Sequence, residues 1–301
     1  MALDFKARVA IVTGAGGGLG RQHALALAAR GAKVVVNDLG GDVHGAGGSV
    51  SAAQAVVDEI RARGGEAIVN GASVTDFDAV QKMVQQAMDT WGRVDIVVSN
   101  AGILRDKSFA KMELADFRQV LDVHLMGAVH CCKAVWPHMT AQKYGRIVLT
   151  SSSSGLYGNF GQTNYGAAKL ALVGLMQTLA LEGAKHDIRV NCLAPTAATR
   201  MTQDLFPPDM LQAFGPEAVV PAMLVLASQD APTRTTLCAG AGAFEAAHIT
   251  LTHGVYVGTG ADADEQLAAR LSQVLDRAQE TVPGGGNAQG ENELRLARAG
   301  H

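Results

Sequence analysis

Residues 9–20 read VAIVTGAGGGLG, and this stretch indicates the fold class. The opening residues are apolar without alternation, which is typical of a strand buried on both faces of a parallel sheet. The glycines allow a tight turn, and Leu19–Arg30 continues with apolar residues at helical spacing. A buried strand, a glycine-rich turn and a helix form the start of a βαβ unit, so this stretch predicts an α/β protein.

The same alternation of short apolar runs and longer helical patterns continues downstream. The strands are predicted at Arg8–Thr13, Lys33–Asn37, Ala67–Asn70, Asp95–Ser99, Arg146–Thr150 and Ile188–Leu193. Further helices are predicted at Ser49–Arg63, Asp76–Thr90, Glu113–Gln142 and Tyr165–Lys185. Right-handed crossovers between such units predict a single doubly wound parallel sheet with helices on both faces, and ligands that bind beyond the carboxyl ends of the strands.

The composition excludes several classes of function. A chain of 301 residues with 48% hydrophobic and 18% charged residues can form a large core. The net charge of −3 and the 5% aromatic content argue against nucleic acid or a membrane surface as a partner. The longest apolar stretches, such as Leu170–Met176, are shorter than a membrane span.

The N-terminus and the cysteines favour a cytoplasmic protein. The chain runs from Met1 directly into the first strand, which leaves no room for a signal peptide. The four cysteines, which we interpret as reduced core thiols, lack metal-site spacing, so no metal is expected: Cys131, Cys132, Cys192 and Cys238.

The C-terminal part of the chain has a different pattern. A catalytic domain is predicted over residues 1–258, an amphipathic helix over 259–282 and a flexible tail over 283–301. The helix is indicated by Leu267, Leu271, Val274, Leu275 and Ala278 at helical spacing. Within the domain, Arg200–Phe214 follows a strand end and is interpreted either as a substrate lid or as an ordinary surface loop.

An acidic residue ends the second predicted strand. The carboxylate of Asp38 could accept hydrogen bonds from both ribose hydroxyls of an adenosine and would repel a 2′-phosphate. No Lys or Arg lies between Gly14 and Gly20 to attract that phosphate. The pattern therefore predicts NAD as the cofactor, with an Asp that only caps the strand as the alternative. Its pyrophosphate would lie on the glycine turn and the helix N-terminus, at Gly14, Gly18, Leu19 and Gly20.

Two further strand ends point to the same crevice. Ser73 and Val74 follow the third strand and could flank the adenine. Asn100, Ala101 and Gly102 follow the fourth strand and offer small residues where the backbone must pass close to a cofactor. Taken singly, either stretch could be an ordinary loop.

A second group of polar residues follows the fifth strand. Tyr165 and Lys169 are four residues apart and share one helical face, where an ammonium would favour the phenolate. Tyr165 would then serve as a base in alcohol oxidation or as an acid in carbonyl reduction. Ser152, 13 residues earlier, lies at a strand end where its hydroxyl could hold the substrate oxygen. A surface Tyr–Lys pair and a serine-rich loop are the alternative.

These motifs together resemble those of the short-chain dehydrogenase/reductase family, which has a Rossmann-like fold. The matching residues are Thr13-Gly-x-x-x-Gly18-x-Gly20, Ser99-Asn-Ala-Gly102, Ser152 and Tyr165-x-x-x-Lys169. The resemblance implies that Tyr165 is the general acid/base, that Ser152 orients the substrate, and that Lys169 lowers the phenol pKa and holds the nicotinamide ribose. It also implies that Pro195 borders the nicotinamide.

Several stretches are similar to one branch of that family, the (3R)-hydroxyacyl-CoA dehydrogenase modules of peroxisomal multifunctional enzymes type 2. They are Val34–Asp42, Asn100–Asp106, Tyr157–Gln162 and Arg200–Thr202. Animal modules of this branch also act on 17β-hydroxysteroids, so the resemblance implies either a 3-hydroxyacyl-CoA or a steroid-like alcohol. Arg105, Lys107 and Arg200 would favour the first by meeting the phosphates of CoA, with solvated surface charges as the alternative.

The chain departs from the general family pattern at three points. His124 stands where most members have Asn, as in the multifunctional branch, and we expect it to be structural or part of a proton relay. Thr196 replaces the usual Gly after Pro195. The hydratase domain of the multifunctional chains does not follow, which implies a free-standing enzyme or a separate hydratase.

The sequence thus predicts an NAD-dependent enzyme that interconverts a secondary alcohol and a ketone. A non-catalytic NAD-sensing protein on the same fold is the alternative, although such proteins typically lose the tyrosine or the lysine. The family resemblance also implies a homodimer or homotetramer, with helices Glu113–Gln142 and Tyr165–Lys185 at the subunit interface.

Overall fold

The central feature of the computed structural model is one eight-stranded sheet. The structure describes residues 3–42, 44–45, 47–198 and 208–299. The strands are β1 Val9–Thr13, β2 Lys33–Asn37, β3 Glu66–Asn70, β4 Ile96–Ser99, β5 Gly145–Thr150, β6 Ile188–Pro195, β7 Thr236–Gly240 and β8 Ala243–Ala247. Their order is β3-β2-β1-β4-β5-β6-β7-β8, all neighbours are parallel except β7 and β8, and the predicted doubly wound sheet is confirmed.

Helices cover both faces of the sheet. They are α1 Gly18–Ala28, α2 Ser51–Ala62, α3 Phe77–Trp91, α4 Leu114–Leu121, α5 Gly127–Gln142, α6 Ser153–Tyr157, α7 Thr163–Gly183, α8 Pro208–Ala213 and α9 Val220–Ala227. One core layer joins α1, α2 and α9 to the sheet, and the other joins α3, α5 and α7. Because β1, β4 and β5 lie between these layers, their side chains are buried on both faces, as their unbroken apolar runs predict.

The last two strands were not predicted from the sequence. β7 contains Thr, Cys and Gly, and β8 is largely alanine, so neither has the β-branched run of a central strand. β8 pairs antiparallel with β7 as an edge strand, and most of its residues are exposed. These strands form because β6 offers a free edge, which is a property of the assembled sheet.

The predicted helix Glu113–Gln142 is in fact three segments. A π-helical turn, Asp122–Met126, separates α4 from α5, and Pro137 lies inside α5. Such turns are single-turn bulges that often lie at functional sites, and a helical period alone does not reveal them. This π-helical turn is important because it contains His124.

By length and composition, the helix Thr163–His186 could cross a membrane, which differs from the prediction of only short apolar stretches. Eight of the α7 residues are buried, and the helix packs beside β5 and β6 in the second core layer. Its apolar composition is therefore explained by its place in the core, where it packs against the sheet.

Contacts divide the chain into two units, Met1–Ala247 and His248–His301, so the division falls before the predicted boundary at residue 258. The second unit contains α10 Ala263–Ala269, α11 Leu271–Val274 and α12 Asn287–Ala299. The single helix predicted over 259–282 is corrected: Arg270, at φ −108° and ψ 12°, interrupts it and donates to the Tyr256 carbonyl. Within the predicted tail, Asn287–Ala299 forms α12, which consists largely of good helix formers.

The predicted lid Arg200–Phe214 is described only in part. Residues 199–207, including Arg200 and Thr202, lie outside the described residues. Residues 208–213 form α8, and the Ala198 amide donates to the Phe214 carbonyl at 2.6 Å. The described part of this segment is therefore a helix anchored to the end of β6.

Candidate active site

Ser152 and Tyr165 meet beyond the end of β5. Ser152 follows the strand and caps α6, because its hydroxyl oxygen accepts a hydrogen bond from the Ser154 amide at 3.2 Å. Tyr165 lies in the first turn of α7, near enough to Ser152 for that side chain to lower the pKa of the phenol. The two hydroxyls predicted to hold a substrate oxygen therefore lie side by side.

The environment of Tyr165 keeps its phenol protonated. Burial raises the pKa of Tyr165 above its ordinary value, the Ser152 side chain lowers it, and the Asp106 carboxylate raises it. The balance is a raised pKa, which suits a group that holds a proton at its hydroxyl near neutral pH.

Lys169 lies one turn further along α7, and its amine contacts the end of β5. Its Nζ donates to the Thr150 carbonyl oxygen at 2.6 Å and lies 5.4 Å from the centroid of the Tyr165 ring. Burial lowers the pKa of Lys169 to about 7. The amine is thus desolvated and turned toward the strand end, and its predicted effect on the phenol pKa stays a prediction.

His124 positions the loop that follows β4. Its Nε2 lies 2.8 Å from the carbonyl oxygen and 3.1 Å from the amide nitrogen of Ile103. The imidazole meets the Tyr165 ring edge-on, at 5.1 Å between centroids. Burial and the nearby Lys169 lower the pKa of His124 well below its ordinary value, so the ring is neutral and its visible contacts are structural.

Gly102 is required for this contact. A Cβ there would lie 2.3 Å from Cε1 of His124, too close for any side chain. A small residue was predicted at this position for approach to a cofactor, and the structure adds a second reason.

The glycine turn has the backbone that its sequence predicts. Gly14 and Gly18 have positive φ, at 62° and 49°. A Cβ at Gly14 would lie 2.8 Å from the Ala101 backbone, and one at Gly20 would lie 2.1 Å from the Gly14 carbonyl oxygen. Gly20 therefore allows the helix to pack on the turn.

Asp38 is held at the mouth of this turn. One carboxylate oxygen accepts the Gly16 amide at 2.8 Å, and the other accepts the Gly40 amide at 2.7 Å. A Cβ at Gly16 would lie 2.9 Å from the same carboxylate. Each oxygen retains a lone pair for a further donor such as a ribose hydroxyl.

A cavity of about 400 Å³ lies along the carboxyl ends of β1, β2 and β4. It brings together most of the predicted cofactor residues, namely Gly14, Gly18, Leu19, Asp38, Ser73, Val74, Asn100, Ala101 and Gly102. The predicted residues outside its lining are Gly20, Pro195, Tyr165 and Lys169. Pro195 ends β6, beside Ala239 of β7.

Sequence reasoning missed part of this lining. Asn37 is buried and donates to the Asn70 side chain and the Ala72 carbonyl oxygen, both at 2.9 Å. A polar residue at the end of an apolar strand was the available signal. Leu39, Gly41 and Gly45 come from the glycine-rich segment after β2, and Gln119, Asp122 and Val123 come from α4 and the π turn.

These residues fit a dinucleotide. The glycine turn forms a cradle that a Cβ would fill. Asn100 stabilises this turn, because its Nδ2 donates to the carbonyl oxygens of Thr13 and Gly14 at 3.1 and 3.2 Å. A diphosphate would lie at the N-terminus of α1 and an adenosine ribose at Asp38.

A sequence model of the short chain dehydrogenase family matches residues 8–209. Among curated proteins, a short-chain type dehydrogenase/reductase of Mycobacterium tuberculosis is 48% identical over 92% of this chain and 97% of its own length. Peroxisomal multifunctional enzyme type 2 of Mus musculus is 53% identical over 76% of this chain, which covers 31% of the mouse protein.

Two solved structures extend this likeness. Full-length peroxisomal multifunctional enzyme type 2 from Drosophila melanogaster superposes with a TM-score of 0.81 and 36% identity, over 98% of this chain and 50% of that chain. A 7α-hydroxysteroid dehydrogenase complexed with NADH and 7-oxo glycochenodeoxycholic acid gives a TM-score of 0.71 and 30% identity, over 79% of this chain and 95% of that chain.

Proposed function

The chain belongs to the short-chain dehydrogenase family, and from that premise we propose that it interconverts a secondary alcohol and a ketone with NAD as the cofactor. The observation that carries this proposal is the glycine-cradled cavity that ends at Asp38, connected to Tyr165 by His124, which contacts both Ile103 of the cavity lining and the Tyr165 ring. The proposed substrate is a 3-hydroxyacyl-CoA.

The proposed chemistry divides between the hydroxyls and the cofactor. Bound NAD would accept hydride from the alcohol carbon, or supply it to the ketone as NADH. Ser152 would hydrogen-bond the substrate oxygen, and Tyr165 would exchange a proton with it. Because the pKa of Tyr165 is raised, the phenol is ready to donate that proton to a ketone. Lys169, with a pKa of about 7, would hold the nicotinamide ribose and exchange protons near neutrality.

Asp38 supports NAD rather than NADP. Two backbone amides hold its carboxylate in the cavity lining, where it would accept the ribose hydroxyls and repel a phosphate. We expect wild-type protein to use NAD⁺ in preference to NADP⁺, and Asp38→Ala to lose much of that preference. The ratio of kcat/KM values for the two cofactors measures this, and a wild-type preference for NADP⁺ would refute it.

The acyl-CoA assignment is supported by the relatives rather than by the cations predicted at the pocket mouth. Arg105 donates to the His44 carbonyl oxygen and pairs with Asp116 at 3.1 Å, and Lys107 lies 3.6 Å from the same carboxylate. Arg200 lies outside the described residues. The match to peroxisomal multifunctional enzymes therefore carries this choice, and the 7α-hydroxysteroid dehydrogenase favours the bulky alcohol as the second candidate.

Tyr165→Phe tests the catalytic proposal. We expect turnover to fall below detection while NAD binding, followed by titration calorimetry, stays near the wild-type value. Tyr144→Phe is the matched control, because that ring lies between Arg8 and Arg146 and should tolerate loss of its hydroxyl. A fully active Tyr165→Phe protein would exclude the mechanism.

A substrate panel separates the candidate functions. 3-Hydroxyacyl-CoAs, hydroxysteroids and aryl alcohols are compared by NADH absorbance. The highest kcat/KM is expected for a (3R)-hydroxyacyl-CoA, and a higher value for a steroid would select the second candidate. NAD binding without turnover of any alcohol would favour a non-catalytic NAD-sensing protein.

A further inference from the structure

The Gln162 side chain is the centre of a hydrogen-bonded cluster beside the candidate active site. It is 9% exposed. Its Oε1 accepts the Ser154 hydroxyl at 2.8 Å and the Asn159 amide at 3.0 Å, and its Nε2 donates to the Asp106 carboxylate at 2.6 Å. One amide thus ties the first turn of α6, which Ser152 caps, to the loop that follows β4.

The loop that follows β4 is also joined to the start of α7, next to Tyr165. Asn164, which is fully buried, donates from Nδ2 to the Arg105 carbonyl oxygen at 3.0 Å and accepts the Tyr165 amide at 2.7 Å. The Lys107 amide donates to the Gly161 carbonyl oxygen at 2.9 Å. The loop carrying Asp106 is therefore attached immediately before Tyr165 in the chain.

The Asp106 carboxylate also acts on the phenol, because it raises the pKa of Tyr165. The His124 imidazole meets the Tyr165 ring from the π turn, and the Lys169 amine, which donates to Thr150, lies 5.4 Å from the centroid of that ring. His124 is neutral and Lys169 is directed to Thr150, so Asp106 is the acidic group among these described neighbours of Tyr165.

We propose that Asp106 and Gln162 are positioning residues for the proposed reaction: their hydrogen bond sets Ser152 and Tyr165 at their mutual distance and holds a carboxylate beside the phenol. This inference rests on the proposed function, because it assigns these residues to the same proton transfer. Neither residue is placed among the groups that touch the substrate or the cofactor.

The charge of Asp106 predicts the direction in which the pH profile of the reaction moves when this residue is replaced. A carboxylate disfavours the phenolate and so raises the pKa of Tyr165. Asp106→Asn removes the charge and lowers that pKa. Both the rising limb of alcohol oxidation and the falling limb of ketone reduction should therefore move to lower pH.

Gln162→Glu tests the positioning role. It keeps the acceptor for Ser154 and Asn159 but sets a second carboxylate against Asp106, so we expect kcat to fall about 10- to 100-fold with little change in NAD affinity. In the double variant Asp106→Asn/Gln162→Glu, the new amide at position 106 can donate to the new carboxylate at position 162, and most of the lost kcat should return. Gln85 and Asp89 form a matched exposed pair at 2.7 Å, so Gln85→Glu and Asp89→Asn should leave kcat and the pH profile unchanged.

A spectroscopic titration makes the result independent of the substrate. The phenolate absorbance of Asp106→Asn is followed against pH, with Asp106→Asn/Tyr165→Phe subtracted to isolate Tyr165. A Tyr165 pKa below the wild-type value supports the proposal even if no alcohol is turned over. An unchanged Tyr165 pKa, or a Gln162→Glu enzyme as active as Gln85→Glu, overturns it.

Discussion

At the scale of single residues, His23 makes stability depend on pH. It is fully buried in α1, neither ring nitrogen has a hydrogen-bond partner within the described chain, and burial lowers its pKa to about 4 from 6.5. The unfolded chain therefore binds a proton that the folded chain excludes. The contribution of the neutral His23 to the free energy of unfolding is fully present above pH 6.5. It decreases by about 3 kcal/mol as the pH falls toward 4.

His23→Leu should remove much of this acid sensitivity. An apolar side chain leaves no polar atom unpaired, so stability at pH 7.5 should be retained or raised. Urea unfolding at pH 7.5 and pH 5 measures the difference, and some sensitivity should persist because His124 is also buried and neutral. His248→Leu, at an exposed position, is the control. An unaltered pH dependence in His23→Leu would contradict this account.

At the scale of secondary-structure elements, Gly155 controls how closely α6 approaches α7. A Cβ there would lie 2.8 Å from both the Leu170 amide nitrogen and the Lys169 Cβ. Moving the backbone of α7 costs free energy, so Gly155→Ala should push α6, the helix that Ser152 caps, away from Tyr165. We expect a loss of about 1–3 kcal/mol in unfolding free energy and about 100-fold in kcat.

Gly174→Ala is the matched control on α7, the helix against which Gly155 packs. No atom lies within 4 Å of a Cβ at Gly174, an exposed position in the interior of α7. This substitution should stabilise the protein by about 0.5–1 kcal/mol because alanine is the better helix former, with kcat unchanged. Equal kcat values for the two variants would show that helix contact does not position Ser152.

At the scale of the whole molecule, the second unit lacks a core of its own. Every residue from 248 to 299 is exposed or half-buried. Leu267, Leu271 and Leu275 are exposed at four-residue intervals. Apolar side chains in such a small unit gain stability only when another surface covers them, so we expect self-association in solution.

Light scattering coupled to size exclusion tests this expectation. The monomer mass is 31.2 kDa, and the wild type should elute with a mass of at least two chains. Replacing the three leucines by serine should lower that mass, whereas Leu3→Ser, at another exposed apolar position, should not. A monomeric wild type would refute both this prediction and the homo-oligomer implied by the family.

Much of the fold and of the candidate site follows from short-range patterns. Unbroken apolar runs predict buried parallel strands, and a four-residue interval puts Tyr165 and Lys169 on one helical face, because strand and helix periods are local properties of the chain. Asp38 is predictable because the crossover rules bring the carboxyl ends of β1 and β2 together.

The remaining features depend on contacts between distant parts of the chain. Gln162 meets Asp106 across 56 positions, and Lys169 turns to Thr150 across 19 positions rather than to the phenol in its own helix. The π turn at His124 and the edge strand β8 likewise have no repeating pattern of apolar residues that predicts them. Such contacts are settled when helices pack on the finished sheet, since burial then decides which polar groups pair and which protons are held.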